Sequence, residues 1–180
     1  MIIGIVGKAG SGKDTVAKFL GEQRDRVRAI AFAEPMKWFV KDVYDFSAKQ
    51  MWGPSEERNA VDPRYGFSPR QAWQTLGTEW GRALYANTWV DLGMRRAKEH
   101  HRAGYHVVIT DCRFQNEADA IRAAGGQVWR VIRPSNSRVD THLSETEQDT
   151  IAADIELIND GTLDDLENLV LLIGNKLGMG

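Results

Sequence analysis

The chain has 180 residues, 42% of them hydrophobic and 27% charged, with 17 glycines and one cysteine. That length suits a single domain burying about 70% of its unfolded surface, and the composition excludes a disordered, fibrous or disulfide-stapled protein. The net charge of -2 excludes the basic imbalance of a dedicated nucleic-acid coat, so any phosphate binding has to be local.

In chain order, the apolar runs 1–6 (MIIGIV) and 28–32 (RAIAF) read as strands, and residues 15–24 between them show helical spacing at Val16, Phe19 and Leu20. The first run is too short to cross a membrane, and no basic leader with a small-residue cleavage site accompanies it. Cys112 has no internal disulfide partner, and it and the four histidines lack zinc-site spacings. A cytoplasmic protein with no membrane partner is expected.

Residues 7–15, GKAGSGKDT, join the first strand to the first helix with the spacing GxxxxGK, in the context a phosphate-binding loop requires. Glycines let successive N–H groups face one concavity, and the helix N-terminus adds partial positive charge. Lys13 adds a full charge for the terminal phosphates of a nucleotide. A plain glycine-rich turn needs neither a third glycine nor that lysine. Asp14 stands where Ser or Thr would hold magnesium and the hydroxyl follows at Thr15, so either residue can serve the metal.

The segment 33–104 is far longer than a crossover needs and rich in aromatics, which predicts an insertion with its own helices. Ser68, Pro69 and Gln71 form a helix start, with Ser at the cap and Pro at the first helical position. Trp73, Leu76, Trp80 and Leu84 then fall on one stripe, expected to be core. The opposite side carries Gln74, Thr78 and Arg82, with Gly77 and Gly81 near the boundary. Glycines inside a helix cost about 1 kcal/mol each, so a close approach by backbone or ligand is the expected reason for them. The polar side is either a solvated face or an acceptor site, with Arg70 or Arg82 for a phosphate and Gln74 for a base edge.

The alternation returns with a strand at 106–110 (HVVIT), a helix near 117–124 ended by Gly125, and a strand at 127–132. Asp111 falls at the carboxyl end of a buried strand, on the edge where the phosphate loop opens. There a carboxylate can hold a magnesium-bound water or accept a proton from an attacking hydroxyl. Asn116, with Asp119 three residues on, is the expected helix cap, which leaves Asp111 and Arg113 in the loop for function; pairing of Arg113 with a neighbouring acid is the alternative. Cys112 reads as packing. Residues 133–144 (RPSNSRVDTHLS) read either as a lid, with Arg133 and Arg138 closing on the transferred phosphoryl group, or as a surface loop. His142 has no assignable partner.

SETE at 144–147 has the form of a capping box that opens a helix, 154–158 is a strand candidate, and residues 162–165 start a closing helix with the stripe Leu166, Leu169, Val170, Ile173 and Leu177. Strands alternating with helices predict a three-layer α/β domain with a mostly parallel sheet. The expected core is about 1–32 and 105–180, the substrate-binding insertion about 33–104 and the lid about 133–144.

Together these residues resemble the deoxynucleoside monophosphate kinases of tailed bacteriophages, a branch of the P-loop nucleoside monophosphate kinases. Four blocks carry the likeness: GKAGSGKDT, FAEPMK at 32–37, QTLGTEWGR at 74–82 and ITDCRFQNEA at 109–118, with weaker support from DTHLSE at 140–145 and INDGTLDDL at 158–166. The resemblance implies a P-loop NTPase fold with a five-stranded parallel sheet, use of ATP and magnesium, and phosphorylation of deoxynucleoside 5'-monophosphates in the host cytoplasm. It assigns Gly7, Gly10, Ser11, Gly12, Lys13, Asp14 and Thr15 to the ATP phosphates and magnesium, Thr15 and Asp111 to the metal, and Asn159 and Gly161 to the neighbourhood of the adenine. Gln74, Thr78, Glu79 and Arg82 would line the acceptor pocket, joined by Arg70 and by Glu34, Lys37 and Phe114 of the same blocks; Glu34 stands where an Asp is expected. Asp111 and Arg113 would face the reacting phosphates, with Lys13, Arg133 and Arg138.

Dephospho-coenzyme A kinase and phosphomevalonate kinase share the loop and general layout, so the acceptor is less specified than the reaction. A nucleotide-operated switch is weighed because residues 170–178 (VLLIGNKLG) look like a guanine-recognition segment, but Gly178 stands where the specifying acid belongs. The near-neutral charge weighs against a nucleic-acid partner, and a homodimer is left open.

Overall fold

The computed structural model describes residues 1–22, 25–135 and 147–179. Five short strands, mostly of β-branched and other apolar residues, pair in parallel: β1 (Ile2–Val6), β2 (Val27–Ile30), β3 (His106–Ile109), β4 (Gln127–Ile132) and β5 (Ile155–Ile158), in the order β2-β3-β1-β4-β5. All of β1 is buried, as a central parallel strand covered on both faces must be. The register sets Gly4 of β1 beside Ile109 of β3, Val6 beside Arg130 of β4, and Ile132 of β4 beside Ile158 of β5. Parallel pairing brings every carboxyl end to one edge, and β1 sits at its middle.

The helices are α1 (Lys13–Glu22), α2 (Glu34–Tyr44), α3 (Ala48–Trp52), α4 (Ser55–Asn59), α5 (Pro69–Thr75), α6 (Thr88–Arg102), α7 (Gln115–Ala123) and α8 (Leu163–Lys176). The chain divides into two compact units, Met1–Ala31 with Leu92–Gly180, and Phe32–Asp91. In the first, Val16 and Leu20 of α1 and Leu166 and Val170 of α8 bury against Ile3, Ile5, Val108, Trp129 and Leu157, with Leu169, Ile173 and Leu177 at the margin. The predicted α8 cap is present: Thr162 N–H donates to Asp165 Oδ2 at 2.8 Å and Asp165 N–H to Thr162 Oγ1 at 3.2 Å.

The second unit has its own apolar cluster of Met36, Val40, Phe46, Met51 and Trp73. Its irregular stretch is tied down by Asp62, only 5% exposed, whose carboxylate takes the Arg64 guanidinium at 2.9 Å and the Gln50 amide at 2.8 Å. Those donors, Arg64 first, hold the Asp62 carboxyl well below the usual carboxylate range. Among the described residues no helix is long and apolar enough to cross a membrane.

Three local expectations are corrected. The α5 start is as predicted, with Ser68 Oγ accepting the Gln71 N–H at 3.2 Å. The apolar stripe beyond it fails, because Trp80 is 54% and Leu84 72% exposed. From Leu76 to Arg82 the helix widens to π form, so each residue turns through a smaller angle and Gly77 and Gly81 face inward instead. Both glycines make room for side chains rather than for backbone: a Cβ on Gly77 would lie 2.6 Å from Met36 Sδ and one on Gly81 2.6 Å from the Trp89 ring, whose Nε1 donates to Gly77 O at 2.8 Å.

Second, α7 is capped at Phe114 rather than at Asn116, because Glu117 reaches back to main-chain N–H groups before the helix. Third, the described part of the helix expected to open at 144–147 is a 3-10 turn, Glu147–Thr150, and not an α-helix; its predicted cap, Ser144, lies outside the described residues.

Candidate active site

Immediately after β1 the chain takes conformations that side chains rarely adopt: Gly7, Gly10 and Gly12 have φ of +149°, +83° and +106°. A Cβ on Gly7 would stand 2.5 Å from the carbonyl oxygen of Val131 in β4, and one on Gly12 2.6 Å from Asn159 Nδ2. The loop runs straight into α1, whose first turn carries its positive dipole end. Lys13 Nζ donates to the carbonyl of Gly7, and to that of Lys8 at 2.9 Å, so its charge lies over the loop. Ser11 is 2% exposed and its Oγ has no hydrogen-bond partner among the described residues. A buried hydroxyl left unmatched beside a lysine and a helix N-terminus fits an oxygen-rich anion such as a phosphate.

The neighbouring strands bring further groups to the same edge. Carrying the β1–β3 register two residues on sets Asp111 level with Val6. Asp111 and Arg113 are half-buried in the loop that follows β3. That loop is held by Glu117, 3% exposed, whose Oε2 accepts the N–H of Arg113 at 2.7 Å and of Phe114 at 3.1 Å. Cys112 is fully buried, and burial first, then the Glu117 and Asp111 carboxylates, push its thiol well above the ordinary range. Its side chain is packed in the interior, as expected. Arg133 is exposed just beyond β4. Next to it, Asn159 N–H donates to Ile132 O at 2.7 Å and its side-chain amide to Ser11 O at 2.8 Å, so Asn159 braces the phosphate loop. Gly161 is exposed ahead of α8, while Arg138 and His142 lie outside the described residues.

Lys13, Thr15, Asp111, Arg113, Arg133 and Asn159 thus share one sheet edge, and Phe114 is buried in the same unit at the start of α7. The remaining candidates belong to the Phe32–Asp91 unit. Glu34 and Lys37 occupy the first turn of α2, Arg70 and Gln74 lie on α5, and Thr78, Glu79 and Arg82 on the π segment; all but the exposed Glu79 are half-buried. Lys37 Nζ lies 5.2 Å from the Trp73 ring centroid, a cation–π contact. The sequence reading missed Glu117 and Gln148. Glu117 was recoverable as an acid three residues after the cap; Gln148, which accepts the Gly7 N–H, carries no local signal.

The family model described as deoxynucleotide monophosphate kinase matches residues 56–170. A protein of Acanthamoeba polyphaga mimivirus, provisionally named a deoxynucleotide monophosphate kinase, is 33% identical over 95% of this chain and 94% of its own length. The deoxynucleotide monophosphate kinase of Enterobacteria phage T4 is 33% identical over 56% of this chain, which is 42% of the phage protein. Among solved structures, shikimate kinase from Aquifex aeolicus superposes with a TM-score of 0.54 at 17% identity over 99% of both chains. The tunicamycin resistance protein of Deinococcus radiodurans gives 0.50 at 13%, over 99% of this chain and 96% of that one; these two likenesses speak for the fold alone. With the family model covering more than half of its residues and a relative aligned along nearly its whole length, the chain belongs to the deoxynucleotide monophosphate kinase family.

Proposed function

We propose that the chain transfers the γ-phosphoryl group of ATP to the phosphate of a deoxynucleoside 5'-monophosphate, giving the diphosphate and ADP. The observation that carries this reading is the loop of residues 7–15. Its left-handed glycines, the Ser11 hydroxyl, buried and unmatched among the described residues, and the Lys13 ammonium form an anion cradle beside the strand-end Asp111. Magnesium, when bound, would supply positive charge that neutralises the nucleotide phosphates. The residues that would hold it are Thr15 or Asp14 from the loop side and Asp111 from the β3 side.

The work of this chain is then positioning and charge neutralisation. The loop and α1 N–H groups orient the donor phosphates, and Lys13 neutralises their terminal oxygens. Arg113, Arg133 and Arg138 supply further positive charge to the transferring group, and Asn159 and Gly161 flank the donor base. The Phe32–Asp91 unit takes the acceptor through Glu34, Lys37, Arg70, Gln74, Thr78, Glu79 and Arg82. Because the acceptor already carries an ionised phosphate at pH 7, Asp111 acts on metal and geometry rather than as an obligatory base.

The test is a coupled assay of ADP formation with purified protein, ATP and magnesium against the four deoxynucleoside monophosphates, their ribo counterparts and dephospho-coenzyme A. Turnover with one or more deoxynucleotides is expected. Turnover with dephospho-coenzyme A alone, or with no acceptor, would overturn the proposal.

A further inference from the structure

Three consecutive residues of the 3-10 turn Glu147–Thr150 reach different parts of the site. Glu147 Oε1 accepts the N–H of Gln115, the first residue of α7, at 3.3 Å, directly after the loop that carries Asp111 and Arg113. Gln148 Oε1 accepts the N–H of Gly7, the first residue of the phosphate loop, at 3.4 Å. The Asp149 carboxylate lies 3.7 Å from Lys8 Nζ. Arg130 of β4 fixes the turn by donating to the carbonyls of Gln148, at 3.2 Å, and Ile151. The Lys8–Asp149 pair is about half exposed and the Gln115 contact is exposed, so water competes with both. Gln148 is 1% exposed, and water cannot replace its bond to Gly7.

We infer that Gln148 is a positioning residue for the phosphate loop. By holding the first N–H of the loop, while Asn159 holds the Ser11 carbonyl near its end, it sets the curl of the loop before a nucleotide arrives. A loop ordered in advance spares the nucleotide that ordering cost, so Gln148 acts on affinity for the donor. This rests on the reading that the loop takes a nucleotide.

Gln148→Met keeps the volume and removes the acceptor. Calorimetric ADP binding and full two-substrate kinetics are to be compared with wild type well below the melting temperature. The expected result is an ADP Kd and an ATP KM raised about 10-fold, kcat lowered less than about threefold, and the deoxynucleotide KM unchanged. A lower melting temperature with unchanged ADP affinity would reduce Gln148 to a structural role and overturn the inference, as would an equal loss in every parameter. If the variant does not fold, amide hydrogen exchange in nucleotide-free wild type decides. Gly7 should exchange as slowly as the amides of β1, and exchange as fast as at Gly10 overturns the inference. Wild-type protein that binds no ADP would overturn the nucleotide reading and this inference with it, whereas normal wild-type binding with an unchanged variant sinks the inference alone.

Discussion

A single methyl group at Gly7 has no room. Its φ of +149° is rarely open to side chains, and the nearest obstacle is a main-chain oxygen of β4, which cannot swing aside as a side chain would. Gly7→Ala is therefore expected to lower stability by roughly 2–4 kcal/mol in urea unfolding, from backbone strain plus overpacking. A loss under about 0.5 kcal/mol would show that the loop adapts. Asp62 gives a pH-dependent case. Its folded carboxyl titrates below the unfolded one, so the stability it contributes is complete above about pH 5 and is lost as pH falls through the unfolded carboxylate range near 4 and below. Asp62→Asn should flatten the acid limb of a plot of urea midpoint against pH; an unchanged limb would put the acid sensitivity elsewhere. At this scale the sequence was most legible where chemistry is local. Lys13 and its glycines occupy adjacent positions and could be named in advance. Gln148 could not, because its partner lies 141 residues away and only the fold brings them together.

At the scale of elements, the π segment shows where periodicity misleads. The Ser68 cap was readable because caps follow local rules, but the stripe through Trp80 and Leu84 assumed 3.6 residues per turn beyond Leu76. Trp89, from α6, seats its indole against Gly77 and Gly81 and offers its N–H to the Gly77 carbonyl, which the wider turn accommodates. Gly81→Ala would push that ring away. It should cost about 1–3 kcal/mol and raise the KM for deoxynucleotide acceptors while leaving the KM for ATP within about twofold. Steady-state kinetics with each substrate varied in turn would reveal this split, and equal shifts in both KM values would detach the π segment from acceptor binding. The α7 cap went unrecognised for a related reason. Asn116 looked the better capping side chain, yet Glu117 supplies the hydrogen bonds from inside the helix and so rigidifies the Asp111–Phe114 loop.

For the molecule as a whole, alternating strands and helices were enough to foresee a parallel sheet. The order β2-β3-β1-β4-β5 comes from the crossovers and not from any residue pattern. The functional consequence of that order is that β1 ends between β3 and β4, which brings the phosphate loop beside Asp111 on one side and Arg133 on the other. A ligand gripped there by many main-chain groups stabilises the folded chain by mass action. ATP with magnesium at 100 times its Kd should add about 2.7 kcal/mol, roughly 5–10 °C in melting temperature for a chain of this size. The decisive comparison is ATP binding and phosphoryl transfer by wild type and Lys13→Met under identical conditions. Loss of the melting shift and a fall in kcat/KM on the order of 10²–10³-fold is the expected outcome. Undiminished affinity and turnover in Lys13→Met would mean that the loop after β1 is not where the nucleotide is held.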